Sequence, residues 1–188
     1  MKIAYLLIGL GVVTTVSLVH GQLYAKATPM VTSEVDIERY AGQWYEIARL
    51  PMFFQRHCAS DVTANYELNP DNTIGVLNQC INKKGQVESA HGVAYAQNPA
   101  KNKLKVSFLP RALRWLPFTK GDYWILRLDP DYQVALVGGP SRKYLWLLSR
   151  SPTLDQATID TYLQTAQDQG FNVSKLIWTK HTVTPSSP

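Results

Sequence analysis

Short segments of alternating apolar and polar residues fill most of the chain between positions 43 and 149. The segment at 103–108 reads KLKVSF, in which every second residue is apolar, as in a strand with one buried and one solvent-facing side. Turn residues interrupt such segments every eight to twelve positions, a spacing typical of antiparallel sandwiches and barrels. The pattern predicts eight strands, at 43–50, 60–68, 73–82, 86–97, 102–109, 121–128, 132–138 and 143–149.

The connections between the predicted strands are short enough to be hairpins. NPDN at 69–72, NPAK at 98–101 and GGPS at 138–141 are turn signals. Strands joined by hairpins pair in up-and-down order, and eight of them can close into a barrel. We therefore predict an all-β protein, an eight-stranded antiparallel up-and-down β-barrel.

One segment near the C-terminal end has helical periodicity instead. Ser151-Pro152-Thr153 offers an N-terminal cap with proline in the first turn, and Gly170 ends the pattern. The apolar residues at helical spacing are Leu154, Ile159, Tyr162, Leu163 and Ala166. We predict one C-terminal helix packed outside the barrel and a short ninth strand within 173–178.

The first 27 residues are typical of a secretory signal peptide. Positions 3–19 carry no charge, and Ala25-Lys26-Ala27 has the small-x-small form of a signal-peptidase site. An uncleaved membrane anchor and a cut near 19–21 are the alternatives. We predict a signal peptide at 1–27, one domain at 28–183 and a disordered tail at 184–188.

Composition and charge limit the classes of protein to which the chain can belong. The 188-residue chain is 45% apolar and 18% charged, which suits one globular domain. Two of its 19 lysines and arginines lie in the predicted leader, so the remaining 17 exceed the 14 acidic residues by only +3. We expect no nucleic-acid partner, because such a small excess does not indicate one.

Cys58 and Cys80 are the only cysteines of the chain. An exported protein meets an oxidising compartment, in which such a pair is expected to form a disulfide. Residues facing each other across the second and third predicted strands have numbers that sum to about 140, and the two cysteines sum to 138. A disulfide at the end of this hairpin is expected, with two free thiols or a metal-binding pair as alternatives.

The interior of an eight-stranded barrel is either filled by side chains or left open for one small ligand. The even positions of the fourth strand are small: Ala90, Gly92, Ala94 and Ala96. They either leave space beside the strand or accommodate a bulky neighbour. By alternation, the expected cavity-lining residues are Ala64, Tyr66, Val76, Asn78, Ala94, Val106, Phe108 and Trp124.

Three motifs resemble the signatures of the lipocalin family. The sequence RYAGQWYEIAR at 39–49 resembles the first signature, G-x-W. Gly121-Asp122-Tyr123 is similar to the second, T-D-Y, with glycine in place of threonine. Arg150, directly after the eighth predicted strand, matches the arginine of the third.

The order and spacing of these motifs fit the family across 36–180. The segments at 144–150 and 170–178 are most similar to the bacterial outer-membrane lipocalin (Blc) type, to which apolipoprotein D and the temperature-induced lipocalins are related. The resemblance implies that the tryptophan plugs the closed end of the barrel and that the arginine packs over it. It implies structural roles for Gly42, Trp44, Asp122, Tyr123 and Arg150.

The same resemblance implies a carrier of one hydrophobic or amphipathic molecule, with a fatty acid or a lysophospholipid as the expected partner. Proteins of the Blc type carry a lipobox cysteine at the end of the leader, whereas this sequence has no cysteine before Cys58. We expect an exported protein in the periplasm or at the outer membrane, without a lipid anchor, as a monomer or weak homodimer.

A basic segment is the candidate for contact with a headgroup or a membrane. Positions 89–121 contain six lysines and arginines and no acidic residue, and basic and apolar residues interleave at 108–118. By the strand count this connection lies at the same end of the barrel as the first, third and seventh connections. We expect Arg111, Arg114 and Trp115 at the cavity mouth, with a loop folded back on the barrel as the alternative.

Catalytic motifs are not found. The sequence contains no H-E-x-x-H, C-x-x-C, G-x-S-x-G or G-K-[ST], and His57, His91 and His181 are scattered. Glu46 shares the parity of Trp44, but a bulge would turn it outward, and we favour the outward position. We expect a binding protein without enzymatic activity, cofactor or metal; a protein-binding module with a filled barrel and, less favoured, a lipid-modifying enzyme are the alternatives.

Overall fold

The computed structural model describes residues 27–116 and 119–182. The predicted signal peptide apart from Ala27, the predicted tail at 184–188 and the last two residues of the predicted mouth segment lie outside the described residues. The described part contains a short helix α1 (Ile37–Tyr40), nine strands and a longer helix α2 (Gln156–Asp168).

The strands form one closed barrel. Strands β2 to β8 pair antiparallel in sequence order, β8 pairs with β1, and β1 pairs with β2. All eight predicted strands are present with ends within two residues of the predicted positions, so the predicted fold is confirmed. In chain order the strands are β1 (Gly42–Arg49), β2 (Cys58–Leu68), β3 (Ile74–Asn82), β4 (Val87–Ala96), β5 (Lys103–Ser107), β6 (Gly121–Leu128), β7 (Val134–Gly138), β8 (Leu145–Ser149) and β9 (Ile177–Trp178).

Alternate strand residues feed two separate apolar clusters. Trp44 and Leu148 belong to the cluster inside the barrel. Leu147, the neighbour of Leu148, belongs to a second cluster on the outer surface, which Tyr162 and Ala166 of α2 complete. The helix therefore packs outside the barrel, as predicted, and covers one side of it.

Helix α2 begins later than the sequence pattern predicts. Its N-cap is Asp155, whose carboxylate accepts hydrogen bonds from the amide of Thr158 at 2.9 Å and its hydroxyl at 2.7 Å. Ser151 and Thr153 precede the helix, and the Ser151 hydroxyl accepts a long bond of 3.4 Å from the Thr153 amide instead. Aspartate is a strong N-cap residue, and its two carboxylate oxygens both find donors here.

The β2–β3 hairpin carries the disulfide. Tyr66 faces Val76, but two register irregularities between Cys58 and Thr63 bring Cys58 opposite Asn82. Cys58 and Cys80 are consequently diagonal neighbours, with a Cα–Cα distance of 5.6 Å, and they are bonded. The predicted disulfide is confirmed, although the pairing register differs slightly from the predicted one.

The C-terminal segment fills a gap between β1 and β2. These strands pair directly only over 42–45, and beyond that point residues 177–182 run between them. The amide of Thr179 donates to β1 at 3.0 Å, and the amide of Asp61 in β2 donates to the carbonyl of Lys180 at 2.8 Å. The predicted ninth strand is present but has only two residues, because a 3-10 turn occupies its predicted beginning.

The guanidinium of Arg150 closes the end of the barrel at which β1 begins, which we call the closed end. Its carbon lies 4.0 Å from the centroid of the Trp44 ring, which has no exposed surface. Gly42 has a φ of +90°, and a Cβ atom there would lie 3.3 Å from Arg150 Nη1, so the position favours glycine. Arg150 donates, at 2.8–3.2 Å, to the carbonyls of Arg39, Tyr40, Ala41, Gln43 and Tyr132.

Replacing Arg150 by methionine should destabilise the barrel, because five carbonyls at the closed end lose the hydrogen bonds that the guanidinium donates. We expect the free energy of unfolding to fall by about 2–4 kcal/mol, measured by denaturant titration. The matched control is Arg56→Met at an exposed position, which should change it by less than about 0.5 kcal/mol. Equal effects of the two substitutions would contradict this role of Arg150.

Candidate functional site

A cavity of about 510 Å³ lies inside the barrel, on the side away from Arg150. Its volume is within the range of about 300–1,000 Å³ that is typical of small-molecule sites. The inner faces of β2, β3, β4 and β8 surround it, and residues of the β1–β2, β5–β6 and β7–β8 connections border it. These connections therefore meet at one end, as the strand count predicted, and we call it the open end.

Small residues of β4 act in two ways. Ala90 lines the cavity and leaves space in front of it. A Cβ atom on Gly92 would lie 2.9 Å from the Phe108 ring, so this glycine accommodates a bulky neighbour rather than leaving space. Both readings of the small residues hold, at different positions of one strand.

Three tyrosines form a hydroxyl chain at the floor of the cavity. The Tyr123 hydroxyl lies 2.8 Å from the hydroxyls of both Tyr40 and Tyr66. Burial raises the pKa of Tyr66 to about 12 and the pKa values of Tyr40 and Tyr123 well above the usual value. The three groups are therefore neutral near pH 7. Two hydrogen bonds use two of the three hydroxyl protons, so one proton is left for a further acceptor.

Asn78 places a polar atom in the cavity wall. Its Oδ1 atom is buried and accepts no hydrogen bond from any described residue. A buried acceptor without a donor is costly, and Asn78 lines the cavity. A ligand donor would remove that cost only after rotation of the Asn78 side chain, because Oδ1 itself has no accessible surface.

Glu46 is buried in the cavity wall, with 2% of its surface exposed. The favoured outward position was therefore wrong: the bulge in β1 falls after Glu46, between it and Ala48. The carboxylate accepts bonds from Arg49 Nη1 at 2.9 Å, Thr179 Oγ1 at 2.6 Å and Gln55 Nε2 at 3.0 Å. With three donors, it is held as a structural group rather than as a base poised for catalysis.

The rim is aromatic and carries a contact between an imidazole and a carboxylate. The rings of Phe54 and Trp146 both pack on Tyr144, with centroid distances of 5.7 and 6.2 Å. His57 Nε2 lies 2.9 Å from Glu88 Oε2, and both side chains are about half exposed. Among the described residues, no lysine or arginine lines the cavity. The cavity suits an apolar chain, and an anionic group finds no fixed cation inside it.

Most of the predicted lining residues come together. Ala94 instead lies in the buried inner cluster, at 1% exposure. Tyr144, Trp146 and Ala90 were missed as lining residues, although the alternation of β8 places Trp146 on the inner face beside Leu148. The predicted residues that line the cavity are Ala64, Tyr66, Val76, Asn78, Val106 and Phe108.

Trp124 does not line the cavity. Its neighbours Tyr123 and Ile125 belong to the inner cluster, so strand alternation turns Trp124 outward. There it packs on the outer cluster beneath α2, and Lys103 Nζ lies 4.5 Å from its ring centroid. The prediction for Trp124 was wrong because it placed the even-numbered residues of β6 on the inner face, whereas the odd-numbered residues face inward.

Arg111, Arg114 and Trp115, in the β5–β6 connection, do not line the cavity. Hydrogen bonds from Thr73 lower the pKa of the Asp71 carboxyl, and the charge of Arg111 lowers it further. Arg114 Nε donates to the carbonyl of Leu109 at 2.8 Å. Trp115 is 76% exposed. Contact of these side chains with a headgroup or membrane stays a prediction.

The remaining signature residues and the histidines have separate partners. Tyr123 contributes to the cavity floor, and the carboxylate of Asp122 pairs with Lys105 Nζ at 3.2 Å. His181 Nε2 lies 2.8 Å from the carbonyl of Glu46, and His91 is exposed on β4.

Comparisons with known proteins agree on the family and the fold. The family described as "Lipocalin-like domain" matches residues 35–181. Temperature-induced lipocalin-1 of Arabidopsis thaliana is 45% identical over 160 residues, 82% of this chain and 84% of that protein. Outer membrane lipoprotein Blc of Escherichia coli K12 is 41% identical over 150 residues, 79% of this chain and 80% of that protein. Insecticyanin from the tobacco hornworm has a similar fold, with a TM-score of 0.62 and 22% identity over 81% of this chain and 83% of that chain.

Filling the cavity with a large side chain should weaken the binding of an apolar ligand. In the Ala90→Trp variant the indole occupies the space that the alanine leaves, so we expect affinity for an apolar fluorescent probe to fall at least about tenfold, a loss of about 1.4 kcal/mol. In the control, His91→Trp, the next side chain along β4 points outward and binding should be unchanged. Probe fluorescence measures affinity and far-UV circular dichroism checks the barrel; equal affinities of the two variants would exclude this cavity as the binding site.

Proposed function

This chain belongs to the lipocalin family, whose members bind small hydrophobic ligands, and we propose that its own ligand is a fatty acid or, preferably, a lysophospholipid. The observation that carries the proposal is the cavity, which is lined mainly by apolar side chains and open at one end of the barrel. The acyl chain lies inside, and the headgroup stays at the rim.

The energy of such binding comes from removing the chain from water. An acyl chain that buries about 300 Å² of apolar surface gains on the order of 7 kcal/mol before the costs of ordering, at roughly 25 cal/mol per Å². That gain needs no covalent step. The relatives support a carrier, since they are members of a binding and transport family.

Two features of the lining favour the lysophospholipid over the free fatty acid. Among the described lining residues there is no lysine or arginine to pair with a buried carboxylate. Asn78 Oδ1 has no donor and is covered by its neighbours; once the side chain rotates toward the cavity, the free glycerol hydroxyl of a lysophospholipid supplies a donor, whereas an ionised fatty acid has none. A hydroxyl donated to Asn78 would offset the burial of that acceptor.

The alternatives have less support. A protein-binding module would require a barrel whose interior is filled by side chains, whereas this barrel contains a cavity of about 510 Å³. A lipid-modifying enzyme would need a free polar cluster at the cavity, but Glu46 already accepts three hydrogen bonds and His91 is exposed outside.

The cellular role follows by analogy. We propose an exported protein of the periplasm or outer membrane, a monomer or weak homodimer, that stores or transports lipid during maintenance of the envelope. The name of the 41% identical relative, an outer membrane lipoprotein, supports this location. In the described residues, no helix has both the length and the apolar character needed to cross a membrane.

The exposed apolar and basic residues at the open end suggest how a ligand is collected. Phe53 and Trp115 are about three-quarters exposed, and Arg111 and Arg114 lie in the same connection as Trp115. We propose that this end touches an anionic bilayer peripherally, with the aromatic rings at the interface.

Native mass spectrometry of the protein expressed with its leader tests the ligand. We expect a complex of one protein with one lipid, and organic extraction should yield a lysophospholipid or a fatty acid. A ligand-free mass, together with failure to take up a fluorescent lysophospholipid, would contradict the carrier function. A bound haem or carotenoid would identify a different ligand class.

Neutralising the basic residues tests the membrane contact. We expect the double variant Arg111→Gln/Arg114→Gln to bind anionic vesicles at least about tenfold more weakly than the wild type, since each basic residue near such a surface contributes about 1 kcal/mol. The control Lys101→Gln/Lys103→Gln removes the same charge at the β4–β5 connection, at the opposite end of the barrel. Vesicle co-sedimentation measures binding, and undiminished sedimentation of the first variant would exclude contact through this segment.

A further inference from the structure

The three tyrosine hydroxyls at the cavity floor have one more proton to donate than they have partners to accept it. The Tyr123 hydroxyl lies 2.8 Å from those of Tyr40 and Tyr66, and these are the only hydrogen bonds that the three hydroxyls make with the described residues. Each hydroxyl carries one proton, so three protons serve two bonds. The three side chains are only 2% to 9% exposed, so the third proton is buried without an acceptor.

The third proton can be directed into the cavity. Tyr66 and Tyr123 line the cavity, whereas Tyr40 lies behind them and does not. Hydroxyl hydrogens rotate to suit their partners, so Tyr40 can donate to Tyr123 and Tyr123 to Tyr66, or both neighbours can donate to Tyr123. In either arrangement the remaining proton is on a hydroxyl that borders the cavity.

The described cavity wall provides no acceptor for this proton. Val76 faces Tyr66 across β2 and β3 and presents only carbon atoms. The Glu46 carboxylate accepts its three hydrogen bonds from other side chains. Asn78 lies diagonally from Tyr66 on the neighbouring strand, and its Oδ1 atom accepts no hydrogen bond. An acceptor at the floor must therefore come with the ligand.

We propose that the cavity floor is a polar subsite for a carbonyl oxygen at the buried end of the ligand's apolar chain, so that the protein binds lipids whose acyl chain carries a ketone or an aldehyde. The inference rests on the proposed function, in which the acyl chain enters the cavity. A carbonyl oxygen only accepts hydrogen bonds. It uses the third proton and adds no other, so that three protons then serve three bonds.

Other chain ends fit the floor less well. A methyl end leaves the third proton without an acceptor, as in the empty cavity. A hydroxyl accepts that proton but brings one of its own, which again needs an acceptor. A carboxylate brings a charge, and no lysine or arginine is among the described residues that line the cavity, so the buried charge would have no partner.

Competition against an apolar fluorescent probe tests the subsite in the whole protein. The competitors are palmitoyl-lysophosphatidylcholine and analogues in which one methylene near the end of the chain is replaced by a carbonyl, at each of the last few positions in turn. In an apolar floor the carbonyl would weaken binding about tenfold or more, because a buried polar group without a hydrogen bond is costly. We expect at least one analogue to bind as tightly as the unmodified lipid or more tightly.

The outcomes separate the subsite from the carrier function. Tight binding of the unmodified lipid together with weakening of about tenfold at every carbonyl position would overturn the subsite and leave the carrier function intact. Failure of every lipid to displace the probe would contradict the carrier function, and the subsite with it.

Matched tyrosine variants identify the donor. Tyr66→Phe/Tyr123→Phe removes both hydroxyls that border the cavity, so the best carbonyl analogue should lose at least about tenfold in affinity while the unmodified lipid changes by less than about twofold. Tyr40→Phe is the control, because Tyr66 and Tyr123 keep one mutual bond and one spare proton, and the analogue should retain its affinity. Retention in the double variant, or an equal loss in the control, would overturn the assignment.

Infrared spectroscopy gives a second readout that needs no substitution. A hydrogen bond from a tyrosine should lower the stretching frequency of an isotope-labelled chain carbonyl in the bound analogue, relative to the same analogue in an alkane solvent. An unshifted band in the complex with the wild-type protein would overturn the proposal.

Discussion

The guanidinium of Arg150 joins the closed end of the barrel to the floor of the cavity. Carbonyls at the end of a barrel have no partner strand, and a buried carbonyl without a donor is costly. Arg150 supplies donors to five of them while its plane covers Trp44. Trp44 in turn donates to the carbonyl of Tyr40 at 2.8 Å, and the Tyr40 hydroxyl begins the chain to Tyr123 and Tyr66. The cavity floor is therefore held in place by a chain of contacts that begins at the guanidinium of Arg150.

The wall above this floor depends on a second polar centre, at the bulge of β1. There the strand separates from β2, and the C-terminal segment takes over the pairing. The carboxylate of Glu46 links this segment, through Thr179, to Arg49 and Gln55. A buried ion pair is weak evidence for stability, because desolvation offsets much of the attraction. Its effect here is positional: it ties three parts of the chain together where β1 and β2 do not pair.

Sequence reasoning succeeded wherever the two faces of a strand differ and failed where they do not. In β2 and β5 apolar residues alternate with polar ones, and Ala64, Tyr66 and Val106 were correctly placed in the cavity. In β6 the residues at 123–126 are all apolar, because α2 covers the outer face, so alternation gives no parity and Trp124 was misplaced. The position of Glu46 depends on where the bulge falls, which the sequence does not mark.

The positions of the charged side chains decide which ligands the cavity can distinguish. The basic residues of the β5–β6 connection lie outside the cavity, and the carboxylate of Glu46 in its wall accepts three hydrogen bonds. Affinity for a small hydrophobic ligand must then come mainly from burial of its apolar surface, which scales with the buried area and is insensitive to a polar group at the rim. Discrimination is left to the polar atoms that the fold does not satisfy, Asn78 Oδ1 and one proton of the tyrosine chain. A site that must pair a donor with Asn78 rejects an analogue without one more strongly than an apolar wall rejects a missing methylene.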